Sequence, residues 1–267
     1  MSRISIKFEE LRQKQEGALI AFLTAGDPSP TTTLKLVNIL TKHADIIELG
    51  IPFSDPIADG STIQRATDRA LKRSTTPDTV LSLIKQIRLM SKVPLVILTY
   101  CNILLKLGVA TFVKRFATAG VDGLVVPDLP LEEAGELLRA TKEHEIDLIL
   151  LATPATPHER LERICNVSSG FLYLVSLLGV TGARKELSPS ARSLIRKVKN
   201  ISKIPVAVGF GVSKPEHVAS IIKAGADGAI VGSAFINIIE KNLNNEKRLL
   251  QKIDSFGKSL KAATWRN

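Results

Sequence analysis

Short apolar runs alternate with amphipathic stretches along nearly the whole chain. The apolar runs are almost continuous, which is typical of parallel strands covered by helices on both faces. The pattern predicts eight strands, at Ala18–Thr24, Asp45–Gly50, Pro94–Thr99, Val121–Val126, Ile146–Ala152, Gly170–Val175, Pro205–Phe210 and Gly228–Val231. The stretches between them predict helices at Thr31–His43, Asp78–Met90, Val109–Ala119, Leu131–Glu143, Pro157–Val167, Ser190–Asn200 and Lys214–Ala224.

Capping residues support the predicted ends of these helices. Ser29-Pro30 and Thr76-Pro77 place a capping side chain and a proline where helices start. Gly120 and Gly225 follow predicted helix ends, where glycine is favoured. The segments around these two glycines, AGVDGLVVP and AGADGAIVG, form a weak internal repeat.

Eight strand–helix units in a chain of this length favour a single (β/α)8 barrel, the TIM-barrel architecture, with one domain over residues 1–267. We expect an extra amino-terminal helix, additional short helices after strands two and eight, and a last helix within Asn242–Asn267. An open doubly wound sheet is the structural alternative.

Composition narrows the class of protein further. Of the 267 residues, 45% are apolar, enough for a sizeable core. No apolar run approaches the roughly 18 residues of a membrane span, and no signal peptide opens the chain, so we expect a cytoplasmic protein that does not bind membranes. Cys101 and Cys165 are far apart, and none of the four histidines pairs at helical spacing. The sequence therefore predicts neither a disulfide nor a metal site.

The net charge of +10 raises the alternative of a nucleic-acid binder. The basic residues are scattered along the predicted outer helices, however, and aromatic residues make up only 4% of the chain. This distribution favours a lysine-rich solvated surface and no nucleic-acid partner. Such a surface also helps to attract a phosphorylated substrate.

Three carboxylates in the stretch Ile46–Gln64 are the first candidates for chemistry. Glu48 ends the second strand and Asp59 lies in the loop beyond it, at the end of the barrel where such enzymes place their active sites. One acid on a rigid strand and one on a loop can together move protons and stabilise a cation. For Glu48 the alternative is a strand-end ion pair with a lysine. Asp55, between Ser54 and Pro56, is expected to shape the loop.

Glycine-bearing loops follow the sixth, seventh and eighth strands. They are Leu178–Ala183, Gly209–Ser213 and Gly232-Ser233. Each glycine alone has an even chance of serving only to turn the chain. Together, in the positions where barrels bind phosphate, they favour a phosphate site.

Other residues at strand ends are open to two interpretations. Phe22, Tyr100 and Tyr173 either line an aromatic-sized pocket or pack in the core. Asp128 is expected to cap a loop. The residues themselves therefore predict an acid–base enzyme that acts on a small phosphorylated substrate, without a metal or an organic cofactor held by this chain.

At these positions the chain resembles the tryptophan synthase alpha-chain family over essentially its whole length. The resemblance rests on a set of ordered motifs. They are Phe22-Leu-Thr-Ala-Gly-Asp-Pro28, Glu48-Leu-Gly-Ile-Pro-Phe-Ser-Asp-Pro-Ile-Ala-Asp-Gly60, Ile63-Gln64, Tyr100, Gly120-Val-Asp-Gly, Pro127-Asp-Leu-Pro130, Gly179-Val-Thr-Gly182, Gly209-Phe-Gly-Val-Ser213 and Gly232-Ser233.

The resemblance implies a barrel that cleaves indole-3-glycerol phosphate to indole and D-glyceraldehyde 3-phosphate by a retro-aldol reaction. It implies that Glu48 is the acid–base group, that Asp59 faces the indole N–H, and that Thr181 closes a lid over Asp59. It further implies an α2β2 assembly with a beta chain, which holds the pyridoxal phosphate and receives the indole. The implied indole contacts are Phe22, Leu98, Tyr100, Val125 and Tyr173, and the implied phosphate contacts are Gly182, Gly211, Gly232 and Ser233. Phe210 is predicted as a further substrate-binding residue.

Two positions depart from the family's pattern. Ser61 follows Gly60 where the family usually has proline, which frees φ and is expected to loosen the loop. The lid carries Leu177-Leu178, where an arginine or valine and then a small residue are more typical. The functional alternative is therefore a catalytically weakened barrel that acts mainly as an allosteric activator of the beta chain.

Overall fold

The strands form one parallel sheet that curls into a barrel. The computed structural model describes residues 1–175, 189–209 and 211–266. Within these ranges the strands are β1 Ala18–Thr24, β2 Ile46–Gly50, β3 Leu95–Leu98, β4 Gly123–Val125, β5 Asp147–Leu148, β6 Leu151–Ala152, β7 Leu172–Val175, β8 Val206–Gly209 and β9 Gly228–Val231. Their order across the sheet is β5-β4-β3-β2-β1-β9-β8-β7-β6, and every pairing is parallel.

The two outermost strands, β5 and β6, are halves of the single strand predicted at Ile146–Ala152. Ile149 donates its N–H to the carbonyl of Leu124 at 2.9 Å, whereas Leu150 accepts from the N–H of Tyr173 at 3.1 Å. The segment thus changes partner from β4 to β7, which splits the predicted strand and joins the two ends of the sheet. The barrel is closed, and the open doubly wound alternative is wrong.

Helices surround the barrel. They are α1 Arg3–Gln13, α2 Pro30–Leu40, α3 Ser61–Lys72, α4 Pro77–Met90, α5 Cys101–Leu107, α6 Val109–Ala119, α7 Gly135–Glu143, α8 His158–Val167, α9 Pro189–Ile201, α10 Pro215–Lys223, α11 Ser233–Glu240 and α12 Glu246–Ala262. Helix α5 has no counterpart in the sequence prediction, and the predicted helix at Leu131–Glu143 is divided into a 3-10 turn, Leu131–Glu133, and α7. No helix within the described ranges is long and apolar enough to cross a membrane.

The barrel interior is a separate apolar cluster, closed at one end by α1. Ile4, Phe8 and Leu11 of this helix pack against interior side chains such as Ile20 and Ile46. This helix covers the amino-terminal end of the strands. The opposite end, where the strands lead into the glycine-rich loops, is left for the site.

The internal repeat has a structural role at the amino-terminal end. Asp122 accepts from the N–H of Leu95 and Asp227 from the N–H of Val206, each at 2.8 Å. Asp122 and Asp227 also donate their own N–H groups to the carbonyls of the same two residues. Each repeat therefore ties the start of one strand to the start of its neighbour, and Asp45 makes the same pair of bonds to Leu19.

Candidate active site

Glu48 is a carboxyl group enclosed in the barrel. It is the central residue of β2, two positions before the strand end where it was predicted, and it lies in register with Phe22 of β1 and Val96 of β3. No part of the residue is exposed, and neither carboxyl oxygen has a hydrogen-bond partner in the described part of the chain. Burial, and after it the charge of Asp59, raises the pKa of Glu48 to about 8. Glu48 is therefore mostly protonated at neutral pH and able to donate a proton.

Asp59 approaches the same end of the barrel from the loop between β2 and α3. Its N–H donates to the carbonyl of Pro56 at 3.0 Å, and its own carbonyl accepts from Nε2 of Gln64 at 2.9 Å. Burial raises the pKa of Asp59 to about 6, and the nearby Tyr100 hydroxyl opposes this rise. Asp59 is therefore mostly ionised at neutral pH.

The two acids thus hold opposite protonation states. The structure brings them near enough for the charge of Asp59 to act on Glu48. A neutral carboxyl beside a carboxylate allows one group to donate a proton while the other stabilises the resulting cation. The alternative for Glu48, an ion pair with a lysine, has no support among the described residues, where neither of its oxygens has a partner.

Two tyrosines border the acids. Tyr173 lies on β7, and burial together with the charges of Glu48 and Asp59 raises its pKa well above the usual value. Tyr100 follows β3 and its ring stacks on Phe53, with 5.3 Å between the centroids. Burial and the charge of Asp59 also raise the pKa of Tyr100. Both hydroxyls therefore stay neutral near pH 7 and can donate hydrogen bonds.

A cavity of about 500 Å³ opens beside Asp59. Of the predicted site residues, Asp59, Leu98 and Tyr173 line it. Its wall also includes residues that were not assigned to the site from the sequence, although each lies in or just after the last residues of a predicted strand at this edge of the barrel. The main ones are Pro127, Leu129, Leu150, Leu151, Thr153 and Val175.

Phe22, Tyr100 and Val125, which are also predicted indole contacts, are not among the residues that line this cavity. Val125 is fully buried in the barrel interior and Tyr100 is 1% exposed. The ring of Phe22 occupies the space above two glycines, since a Cβ on Gly50 would lie 2.8 Å from its Cζ and one on Gly232 would lie 3.1 Å from its Cδ1. Phe210 lies outside the described residues.

Three of the four predicted phosphate contacts, Gly211, Gly232 and Ser233, lie in the described part of the chain. Gly211 has a φ of +67°, which suits a glycine in a tight turn after β8. Ser233 is the exposed first residue of α11, and no side chain caps this helix. Its first N–H groups can therefore bind an anion. Gly182 and the predicted lid residues Thr181 and Leu177-Leu178 lie outside the described residues.

Asp128 has the capping role that was expected, whereas Asp55, which was expected to shape its loop through bonds to the backbone, bonds to a neighbouring side chain. The carboxylate of Asp128 accepts from the N–H of Cys101, at 2.9 and 3.1 Å, and so caps the start of α5. Asp55 is exposed and accepts from the hydroxyl of Ser54 at 2.6 Å. Among the described residues no group of three His, Cys, Asp or Glu side chains could hold a metal ion.

A closed barrel with a buried carboxyl group, Glu48, inside its wall and a second acid, Asp59, in the loop after the same strand defines a (β/α)8 enzyme of the acid–base class. The model of the family described as "Tryptophan synthase alpha chain" matches residues 8–265. The chain belongs to the tryptophan synthase alpha-chain family.

Relatives and solved structures agree with this assignment. The tryptophan synthase alpha chain of Methanocaldococcus jannaschii is 48% identical over 92% of this chain and 88% of its own length. That of Trichormus variabilis is 48% identical over 98% of both chains. The alpha subunit from Legionella pneumophila superposes with a TM-score of 0.91 at 37% identity, covering 99% of this chain and 98% of its own. A Pyrococcus furiosus chain from the tryptophan synthase α2β2 complex superposes with a TM-score of 0.87 at 44% identity, covering 92% and 98%.

Proposed function

We propose that this chain cleaves indole-3-glycerol phosphate to indole and D-glyceraldehyde 3-phosphate. The observation that carries the proposal is Glu48, a fully buried carboxyl group with no partner among the described residues and a pKa raised to about 8, near the more acidic Asp59. A retro-aldol cleavage at an indole ring needs one group that protonates carbon and one that tolerates the cation this creates.

The two acids divide the proton transfers between them. Protonated Glu48 gives its proton to C3 of the indole ring, and the carboxylate of Asp59 accepts a hydrogen bond from the ring N–H and stabilises the positive charge. Glu48, now ionised, takes the proton of the hydroxyl on the adjacent side-chain carbon. The bond between this carbon and C3 then breaks, its electrons return to the ring, and the side chain leaves as an aldehyde. Glu48 ends the cycle protonated, so no proton is gained or lost.

The substrate is positioned by both ends of the site. Leu98 and Tyr173 provide apolar and aromatic surface for the indole ring, and the family resemblance adds the buried Phe22, Tyr100 and Val125. The first turn of α11, with Ser233 and the adjacent Gly232, holds the phosphate together with Gly211. Gly182, Phe210 and the lid residue Thr181 are assigned to the same site through the family resemblance.

The proposal includes a partner. This chain assembles with a beta chain as an α2β2 complex in the cytoplasm, and indole passes to that partner, which makes L-tryptophan with its own pyridoxal phosphate. This chain needs no cofactor of its own. The relative in Pyrococcus furiosus, described as part of an α2β2 complex with mutual activation, supports this assembly.

The test is a steady-state assay of indole release from indole-3-glycerol phosphate, with and without saturating beta chain. We expect cleavage that the beta chain accelerates and that Glu48→Gln abolishes while the variant stays folded. If cleavage is undetectable with saturating beta chain, while this chain still speeds the conversion of indole to tryptophan, the lyase proposal is wrong and the weakened-barrel alternative is correct.

A further inference from the structure

Ion pairs join the helix at the phosphate site to the helix that follows Asp59. Arg65 of α3 donates from Nε and Nη2 to the two carboxylate oxygens of Glu240, at 2.7 and 2.9 Å. Arg69, one turn further along α3, donates to Glu240 at 3.3 Å and makes two bonds to Asp27, at 2.7 and 2.8 Å. Glu240 is the last residue of α11, the helix that begins at Ser233.

The same α3 helix holds the backbone of Asp59. It begins at Ser61, two residues after Asp59, and Gln64 in its first turn donates to the Asp59 carbonyl at 2.9 Å. Gln64 and Arg65 are adjacent on the helix. A shift of this turn therefore changes the position of Asp59 and the bond to Glu240 together.

The two arginines have different surroundings. The side chain of Asp27 is fully buried and that of Arg69 is 20% exposed, so this pair anchors α3 to the loop after β1. Arg65 is 48% exposed and its partner Glu240 is 28% exposed. An exposed pair of this kind contributes little to stability, but a two-bond contact between guanidinium and carboxylate fixes orientation.

We propose that Arg65 is a positioning residue that couples phosphate binding at the start of α11 to the placement of Asp59. The inference rests on the proposed function for the location of the phosphate. Helix α11 has eight residues and is about 12 Å long, so an anion that fixes its first turn also fixes Glu240 at its other end. Arg65 passes this constraint to α3, and Gln64 passes it to Asp59.

Hydrogen exchange of the amides of residues 59–64 tests the coupling without turnover. The samples are wild type, Arg65→Gln and the control Lys35→Gln, each with and without saturating glycerol 3-phosphate. Lys35 is a matched choice because it is 49% exposed and pairs with Glu246 at 2.6 Å, joining α2 to α12 and not to α3. We expect glycerol 3-phosphate to slow exchange at least about 5-fold in wild type and Lys35→Gln, and far less in Arg65→Gln. Equal protection in Arg65→Gln, or none in wild type, would overturn the inference.

Kinetics separate positioning from a merely structural role. We expect Arg65→Gln to lower kcat for indole-3-glycerol phosphate about 5-fold and to leave kcat for unphosphorylated indole-3-glycerol unchanged. Arg65→Lys should restore only part of the loss, since lysine cannot make the two-bond contact. An equal loss on both substrates would overturn the inference. Absence of cleavage in wild type would instead refute the proposed function, and the exchange experiment would still decide the coupling.

Discussion

Gly209 and Tyr173 pack against each other on neighbouring strands of the barrel. A Cβ built on Gly209 would lie 2.7 Å from both Cε1 and Oη of Tyr173. The missing side chain on β8 is what leaves room for the tyrosine ring in the wall of the cavity, where the charges of Glu48 and Asp59 act on its hydroxyl.

Gly209→Ala should therefore displace Tyr173. We expect stability to fall by about 1–3 kcal/mol because the added methyl overpacks the interior. We also expect kcat/KM for indole-3-glycerol phosphate to fall about 10-fold, the equivalent of about 1.4 kcal/mol of transition-state binding. Urea unfolding and steady-state kinetics measure the two effects. Gly135→Ala is the matched control, because no atom lies within 4 Å of its added Cβ. It should leave kcat/KM unchanged and should not lower stability.

The raised pKa of Glu48 predicts how stability depends on pH. Since the pKa rises from 4.5 to about 8 on folding, the folded state binds more protons than the unfolded state between these values. The contribution of Glu48 to stability is therefore fully present below pH 4.5 and is lost as pH rises through this window, by at most about 5 kcal/mol. Glu48→Gln removes the dependence, so its free energy of unfolding should exceed that of wild type at pH 8.5 and match it near pH 4.5. A constant difference between the two proteins across this range would refute the assignment.

The pair of acids also predicts a bell-shaped pH profile for kcat/KM. Activity needs Asp59 ionised, which is lost below about pH 6, and Glu48 protonated, which is lost above about pH 8. The two apparent pKa values belong to the pair, since each charge acts on the other. The phosphate of the substrate also titrates near pH 6, so the profile with unphosphorylated indole-3-glycerol is the control. If the acidic limb disappears with that substrate, it reports the phosphate and not Asp59.

Asp122 offers a test of the amino-terminal end that should leave catalysis unchanged. Its side chain is 5% exposed and accepts from Arg88 at 2.5 Å, Arg3 at 2.7 Å and the N–H of Leu95 at 2.8 Å. Asp122→Ala leaves a partly buried arginine without its charge partner, so we expect a loss of about 3–5 kcal/mol in urea unfolding.

The control for Asp122→Ala is Asp78→Ala, which removes an exposed pair with Arg115 and should cost under about 1 kcal/mol. The KM for indole-3-glycerol phosphate should be unchanged in both variants. A change in KM with Asp122→Ala would show that this end of the barrel is not independent of the site.

The sequence predicted the barrel because each strand and helix is indicated by residues within or next to it. Continuous apolar runs, capping residues and glycines at helix ends each specify one element, and eight repetitions leave few folds to choose from. It did not predict the change of strand partner at Ile149–Leu150, because apolar residues fit either partner and pairing depends on the closure of the whole ring. It also missed α5, whose cap is the side chain of Asp128, 27 positions further along the chain.

For the site, too, the sequence indicated some residues and missed others. Glu48 and Asp59 are visible because acids at a predicted strand end and in the loop beyond it are unusual. The cavity wall, which includes Leu129, Leu151 and Val175, was not singled out because such residues resemble any other core residue. The bonds of Arg65 to Glu240 span 175 positions, and no local pattern indicates a contact of that range.

Ser61 lies at the junction between the Asp59 loop and α3, at a position where the resemblance implies a proline, and its place in the helix predicts the effect of that proline. Ser61 is the first residue of α3 after Gly60, which caps the helix with extended backbone and no side-chain bond. At this first position the N–H has no partner within the helix, and the φ of proline suits it.

Ser61→Pro should therefore stabilise the protein by about 0.4–1 kcal/mol, mostly by restricting the unfolded chain. It should also slow hydrogen exchange around Asp59 and raise kcat without the beta chain. The reason is that the loop carrying Asp59 would already be more ordered before the substrate binds. Thermal unfolding, exchange and kinetics of Ser61→Pro against Ser61→Ala, which does not fix φ, measure these effects. If Ser61→Ala gives the same gains, the restriction of φ is not their cause.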